Sequence, residues 1–156
     1  MKILKRKGFT LVEIMIVVAI IALLAAIAIP NLLRARLNAN EGAATGNIHT
    51  LVTSFGSWQA NQTPPSYPAT LLELNTVDPP YIDAVLGGGT KQGYIYTYTP
   101  GAADPATGQI FIYTLSAQPQ VQDRTGRRWF VADESGVIRV DVDQSGTVTA
   151  GDTPLE

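Results

Sequence analysis

An uncharged, apolar run of twenty residues, 14–33, constrains this chain more than any other feature of its sequence. As a helix rising 1.5 Å per residue, a run of that length spans the hydrocarbon core of a bilayer. Four basic residues lie before it, at positions 2, 5, 6 and 7, and Arg34 and Arg36 follow it. Because basic residues favour the cytoplasmic side, this asymmetry predicts a cytoplasmic start and an exported remainder.

The composition narrows the class of protein further. The 156 residues suit one folded domain with appendages. Beyond the four N-terminal basic residues, seven basic residues face 13 acidic ones without a basic stripe, so we expect no nucleic-acid site. The absence of cysteine excludes disulfides, thiol catalysis and thiolate zinc sites. Since no nucleophile motif, phosphate loop or paired-acid arrangement occurs, we expect no enzyme.

Two ordinary interpretations of the apolar run are a secretory signal peptide, with a small-residue site at residues 26–28, and a plain membrane anchor. Glu13 argues against the signal peptide, because a carboxylate deep in a bilayer costs about 3 kcal/mol and gains nothing in a disposable leader. Neither interpretation accounts for Gly8, Phe9 and Glu13 together.

Residues 7–13, with the sequence KGFTLVE, and the later Ile29-Pro30-Asn31 resemble the N-terminal methylation motif of type IV pilins and type II secretion pseudopilins. The match is continuous from Lys5 to about Arg36, and segments of the remainder, such as 89–94 and 128–139, resemble a cysteine-poor group of pilins. The resemblance implies a filament subunit.

The same resemblance assigns roles to individual residues. It implies a leader of residues 1–8, cut by a prepilin peptidase between Gly8 and Phe9, and N-methylation of Phe9. Residues 9–33 would form the membrane-spanning and filament-core helix. Glu13 could pair with the amine of its own chain four residues away, but the resemblance favours the Phe9 amine of a neighbouring subunit. Pro30 is expected to be a melting point of the helix during assembly, the alternative being a passive kink.

Beyond the membrane run, apolar residues recur at three- and four-residue steps and predict an amphipathic continuation of the helix over residues 34–62. The stripe is Leu33, Leu37, Ala44, Ile48, Leu51, Val52, Phe55 and Trp58. Alternating patterns at 94–99, 109–117, 128–132 and 137–140 then predict strands. The expected fold is α+β, with a long helix packed against an antiparallel meander of about four strands in a head of residues 63–156.

The C-terminal tail has the spacing of a calcium loop, with oxygen-bearing side chains at positions 1, 3, 5, 7, 9 and 12 and glycine at position 6. These residues are Asp141, Asp143, Ser145, Gly146, Thr147, Thr149 and Asp152. Two of them, Ser145 and Asp152, depart from the preferred ligands and should weaken binding. Calcium is the one cofactor that the sequence suggests, and an exposed hairpin or frayed tail is an equal alternative.

Two functions stay open. The first is a type IV pilin, held in the inner membrane with its N-terminus cytoplasmic and then assembled into an extracellular homo-oligomeric filament. The second is a pseudopilin of a type II secretion system, which forms a periplasmic pseudopilus for protein export. Both need a prepilin peptidase and an assembly machinery in the inner membrane as partners. A membrane-anchored enzyme would require a site that the sequence does not reveal.

Overall fold

The computed structural model describes residues 8–155. Of the predicted leader, residues 1–8, only Gly8 is therefore described, and the N-terminal basic residues lie outside this range. The chain divides after Ala35 into two compact units, which are described separately below.

Helix α1 runs from Leu11 to Asn61 and confirms the predicted long helix and its C-terminal end. It continues through Pro30. Since proline has no N–H, the carbonyl of Ala26 loses its helical hydrogen bond there.

In the first unit, α1 is apolar on every side. The large apolar side chains from Phe9 to Leu33 are 49–83% exposed. This helix alone among the described residues is long and apolar enough to cross a membrane, and the mean hydropathy of its most apolar window is 3.0. A helix that is hydrophobic all round is stable only in lipid or against other protein.

In the second unit, residues 36–61 of α1 are followed by two short helices and an antiparallel sheet in which each strand pairs with the next in sequence. The helices are α2 (Glu73–Thr76) and α3 (Ala84–Gly87). The strands are β1 (Thr90–Lys91), β2 (Tyr94–Pro100), β3 (Tyr113–Pro119), β4 (Trp129–Asp133), β5 (Ile138–Asp141) and β6 (Thr153–Pro154). The predicted α+β fold with a meander is confirmed.

The sheet has six strands where the sequence predicted about four. The additional strands, β1 and β6, are two-residue edge strands, which are too short for an alternating pattern to be visible. The predicted strand 109–117 begins only at Tyr113. Its first residues bond elsewhere, because the Ile110 carbonyl accepts from Tyr67 N at 2.9 Å and Ile110 N donates to the Ser66 hydroxyl at 3.0 Å.

The core lies between α1 and the sheet. Ala44, Ile48, Leu51 and Phe55 are fully buried, as the helical periodicity predicted, whereas Leu33 is 49% exposed and takes no part in this core. The sheet contributes a row of tyrosines from β2 together with residues of β3 and β4. Its Tyr98 ring packs on Phe55 at 4.7 Å between centroids, so the tyrosine row is core packing.

Candidate functional sites

The predicted cleavage junction lies immediately before α1 and is accessible. Gly8 and Phe9 have no regular secondary structure and are exposed, and the Phe9 side chain is 83% exposed. A side chain at position 8 would meet no described atom within 4 Å. Packing within the described chain therefore does not require glycine at this position.

Glu13 forms a capping box with Thr10 at the start of α1. Its Oε2 atom accepts hydrogen bonds from Thr10 N and from the Thr10 hydroxyl, both at 2.9 Å, and Glu13 N donates to the Thr10 hydroxyl at 3.2 Å. This arrangement satisfies backbone donors at the helix N-terminus that would otherwise lack partners in lipid. The sequence analysis missed it, although the spacing T-x-x-E is its signal.

The capping box leaves one carboxylate oxygen of Glu13 available. Among the described residues, Oε1 makes no hydrogen bond, because Oε2 accepts both bonds from Thr10. In the uncleaved chain the Phe9 nitrogen belongs to a peptide bond, so pairing with a free amine stays a prediction. The geometry allows Glu13 to cap its own helix and to accept a further donor at the same time.

The predicted calcium loop connects β5 to β6. The pairing of Val140 with Thr153 closes the loop as a hairpin and brings its two ends together. Carboxylate oxygens of Asp141, Asp143 and Asp152 lie within 4.8 Å of one another. Asp141 and Asp152 are only 3% and 9% exposed, whereas Asp143 is exposed.

Backbone and side-chain hydrogen bonds shape this loop. Asp141 accepts from Ser145 N at 3.2 Å and Gly146 N at 2.7 Å, and Asp152 accepts from Thr149 N at 2.6 Å. The hydroxyls of Ser145 and Thr147, also predicted as ligands, lie 3.1 Å apart and bond to each other. Gly146 has φ of +73°, the left-handed conformation that the loop pattern requires of it.

Burial and its neighbouring carboxylates disfavour the charged form of Asp141 in this cluster. Burial, a hydrogen bond with Asp143 and the charge of Asp152 raise the pKa of Asp141 above its ordinary value, although two backbone N–H groups oppose them. Hydrogen bonds from Ser145 and Asp141 lower the pKa of Asp143. Grouped carboxylate oxygens of this kind suit a hard cation such as Ca²⁺.

A buried carboxylate on α1, Glu41, was missed by the sequence analysis. It is 6% exposed and accepts from Arg127 N at 2.9 Å, Arg128 N at 3.3 Å and Arg128 Nε at 2.7 Å. Glu41 lies four residues after Leu37 and three residues before Ala44, which places it on the buried face of the helix. This spacing is the sequence signal that could have identified it. The carboxylate holds the chain entering β4 against α1.

Replacing Glu41 with alanine is expected to lower the free energy of unfolding by about 3 kcal/mol, because two backbone N–H groups and the Arg128 guanidinium lose their acceptor. The measurement is urea unfolding of the full-length chain in detergent, followed by tryptophan fluorescence. Glu134→Ala, which removes an exposed carboxylate of the same type, should change stability by less than about 0.5 kcal/mol. Equal effects of the two substitutions would contradict the conclusion that Glu41 holds the chain entering β4 against α1.

The same contact predicts a pH dependence. Burial alone would raise the pKa of Glu41, but its hydrogen bonds from Arg127 and Arg128 outweigh burial and hold the pKa below its ordinary value. A lowered pKa in the folded chain stabilises the fold above the unfolded-state pKa, and this contribution is lost as the pH falls through the folded value. The stability difference between the wild type and Glu41→Ala should therefore shrink in acid.

Comparison with known proteins identifies a sequence motif at the N-terminus and two pilin relatives. Residues 3–29 match the model of the prokaryotic N-terminal methylation motif. The chain is 44% identical over 75 residues, 47% of its length, to the major component of the type IV wide pilus of Thermus thermophilus, covering 57% of that protein. It is 48% identical over 54 residues, 35% of its length, to the type IV major pilin of Myxococcus xanthus, covering 24% of it.

A third relative belongs to a secretion system. The chain is 33% identical over 92 residues, 58% of its length, to the type II secretion system core protein G of Escherichia coli, covering 62% of that protein. The chain thus spans less than two thirds of each of these relatives. No solved structure matches it significantly. Together with the methylation motif, these matches show that the chain is similar to type IV pilins and type II secretion pseudopilins, and the exposed apolar helix and antiparallel head agree with that similarity.

Proposed function

We propose that this chain is a prepilin, a structural subunit that polymerises into a type IV pilus after cleavage of its leader and N-methylation of Phe9. The observation that carries the proposal is the helix of the first unit, whose large apolar side chains are all exposed and which is joined in sequence to a folded head. Such a helix needs lipid before assembly and a bundle of like helices afterwards.

Glu13 suits a role in the register of this bundle. Cleavage before Phe9 creates an amine in or near hydrocarbon, where an unpaired charge is expensive. The Glu13 of a neighbouring subunit offers the matching carboxylate, with Oε1 available beside the capping box. Pro30, which leaves the Ala26 carbonyl without a helical partner, is the proposed point where α1 melts during assembly.

The proposed route begins with a single-pass precursor in the inner membrane, N-terminus cytoplasmic. A prepilin peptidase and the assembly machinery of that membrane are its partners, and identical subunits form the extracellular filament. The role is structural and needs no catalytic residue in this chain.

The alternative is a pseudopilin that forms a periplasmic pseudopilus for protein export. The match to a type II secretion core protein favours it, as does the C-terminal carboxylate cluster in a chain without disulfides. Fractionation distinguishes the two, because a pilus is recovered by shearing intact cells and a pseudopilus is not.

The test is the intact mass and N-terminal sequence of the protein recovered from sheared surface fractions of its native host. A chain beginning at methylated Phe9 is expected. A chain that begins after Ala28, or that retains Met1, would overturn the proposal in favour of a signal peptide or a plain anchor.

We also propose that the loop between β5 and β6 binds calcium through Asp141, Asp143 and Asp152, with Ser145 and Thr147 in the same loop. A cation would neutralise carboxylates that lie within 4.8 Å of one another and would fasten the last strand to the sheet. This would stabilise a head that has no disulfide.

Millimolar calcium is therefore expected to raise the thermal midpoint of the head, since binding to the folded state alone stabilises it by about 3 kcal/mol at a hundred times the dissociation constant. Differential scanning calorimetry of the full-length chain with and without calcium measures this. Asp143→Asn, in an exposed position, should abolish the shift, whereas Asp104→Asn, a partly exposed position in the turn between β2 and β3, should preserve it. No shift in the wild type would overturn the calcium site.

A further inference from the structure

The fold gathers arginines that are scattered in the sequence around one turn of α1. We name Arg36, Arg124, Arg127 and Arg128 the basic collar; all four are exposed. Three of them belong to the connection between β3 and β4. Two contacts fasten this connection to α1: Asn40 Nδ2 donates to the Thr125 carbonyl at 2.8 Å, and Glu41 accepts from the Arg127 and Arg128 backbone. Arg36 precedes Asn40 by one helical turn on the same face.

The collar is the basic part of an otherwise acidic unit. The collar has four arginines and two neighbouring carboxylates. Glu41 is buried against Arg128, and Asp123 lies 3.4 Å from Arg127 Nε. The rest of the described residues beyond Leu37 hold two basic and nine acidic side chains. These are Lys91 and Arg139, and Glu73, Asp78, Asp83, Asp104, Asp133, Glu134, Asp141, Asp143 and Asp152.

The chain itself places the collar near the membrane surface. Arg36 follows Leu33, the last residue of the apolar run, by three positions, so it lies within about 10 Å of the end of that run whatever the local geometry. Residues 40 and 41, which hold the loop, come one helical turn after Arg36, or about 6 Å further along the helix axis. The Debye length is about 8–10 Å in physiological salt, so Arg36 lies within about one Debye length of the end of the run and the backbone that holds the loop within about two.

The side chains beside the arginines also suit an interface. Val121 is 49% exposed, and Trp129 is partly exposed with its indole N–H bonded to Gln122. Indole rings prefer the headgroup level of membranes, and arginines there attract anionic lipids. The acidic surface of a second copy of this chain would complement only the charge of the collar. Lipid headgroups complement the charge and also accommodate Trp129, and the short chain connection from Leu33 keeps Arg36 near them.

We propose that the basic collar binds the anionic phospholipid headgroups of the membrane that the apolar helix spans, and so holds the head at the membrane surface before assembly. This inference rests on the membrane insertion in the proposed function, but not on filament formation.

The test uses the full-length chain with Trp58→Phe, which leaves Trp129 as its single tryptophan. It is reconstituted in phosphatidylcholine–phosphatidylglycerol vesicles in which one or the other lipid is brominated near the headgroup. Brominated phosphatidylglycerol should quench the fluorescence of Trp129 more strongly than brominated phosphatidylcholine at the same mole fraction. Arg124→Gln with Arg127→Gln should reduce this preference by at least about five-fold, the expected effect of one arginine near an anionic surface. The double lysine variant at both positions should retain it.

Several results would overturn the proposal. One is equal quenching by the two lipids in the wild type, and another is an unchanged preference in the double glutamine variant. If that variant keeps the lipid preference but loses filaments, the collar instead contacts the acidic surface of another subunit. Alkaline extraction tests membrane insertion separately from headgroup binding. If alkali removes the chain from the vesicles, the apolar helix is not inserted in the membrane. Lys91→Gln, outside the collar, should leave quenching unchanged.

Discussion

Glu13→Ala is expected to abolish filaments while leaving cleavage after Gly8 and methylation of Phe9 intact. The substitution leaves the new amine of Phe9 without a partner in the apolar bundle, and an unpaired charge in a bilayer costs about 3 kcal/mol. That free energy corresponds to about a hundred-fold loss in the equilibrium constant for adding each subunit. Electron microscopy of surface filaments and mass spectrometry of the membrane-bound chain measure the two outcomes.

Glu13→Gln separates the two contacts of this side chain. Glutamine can keep the capping box, since its amide oxygen accepts from Thr10 N, but it carries no charge. If pairing with the amine drives assembly, Glu13→Gln should lose filaments as fully as Glu13→Ala. Normal filaments in the glutamine variant would assign Glu13 to helix capping alone, and normal filaments in both would refute its role in assembly.

Gly126→Ala is expected to destabilise the head by about 3 kcal/mol or more. A Cβ atom at this position would lie 2.0 Å from the Tyr94 hydroxyl oxygen and 2.5 Å from its ring. Tyr94 is fully buried and donates to the Arg128 carbonyl at 3.0 Å, so it cannot move aside without breaking that bond. Displacing the loop instead would pull Arg127 and Arg128 from Glu41.

A matched substitution on the exposed face of α1 should have the opposite sign. A Cβ atom at Gly42 would meet no described atom within 4 Å, and alanine is favoured over glycine in a helix by about 1 kcal/mol. Urea unfolding of the full-length chain in detergent should therefore show a lower midpoint for Gly126→Ala and a higher one for Gly42→Ala. A Gly126→Ala chain as stable as the wild type would show that the loop does not pack on Tyr94 as described.

Local patterns sufficed for the elements whose signals lie within a few residues. The apolar run, the three- and four-residue repeat of Ile48, Leu51 and Phe55, and the alternation in β2 each reflect a period set by backbone geometry. Short-range order of this kind predicted the long helix and the meander. The cleavage junction rests on the resemblance of a local motif and is still a prediction. Calcium binding and the pairing of Glu13 are still predictions, because each depends on a cation or a second subunit.

Tertiary structure decided what depends on residues far apart in the chain. Strand β6 exists because Thr153 pairs with Val140, and two residues carry no periodicity of their own. From the sequence alone, Glu41 resembles a surface charge. In the folded chain it is buried, because donors some 86 residues later in the sequence surround it. The basic collar forms for the same reason. The sequence by itself determined the long apolar helix and the fold class, whose signals are local and repeated. Only the tertiary structure decided which polar side chains are buried and which charges meet, because those contacts join positions that no local pattern relates.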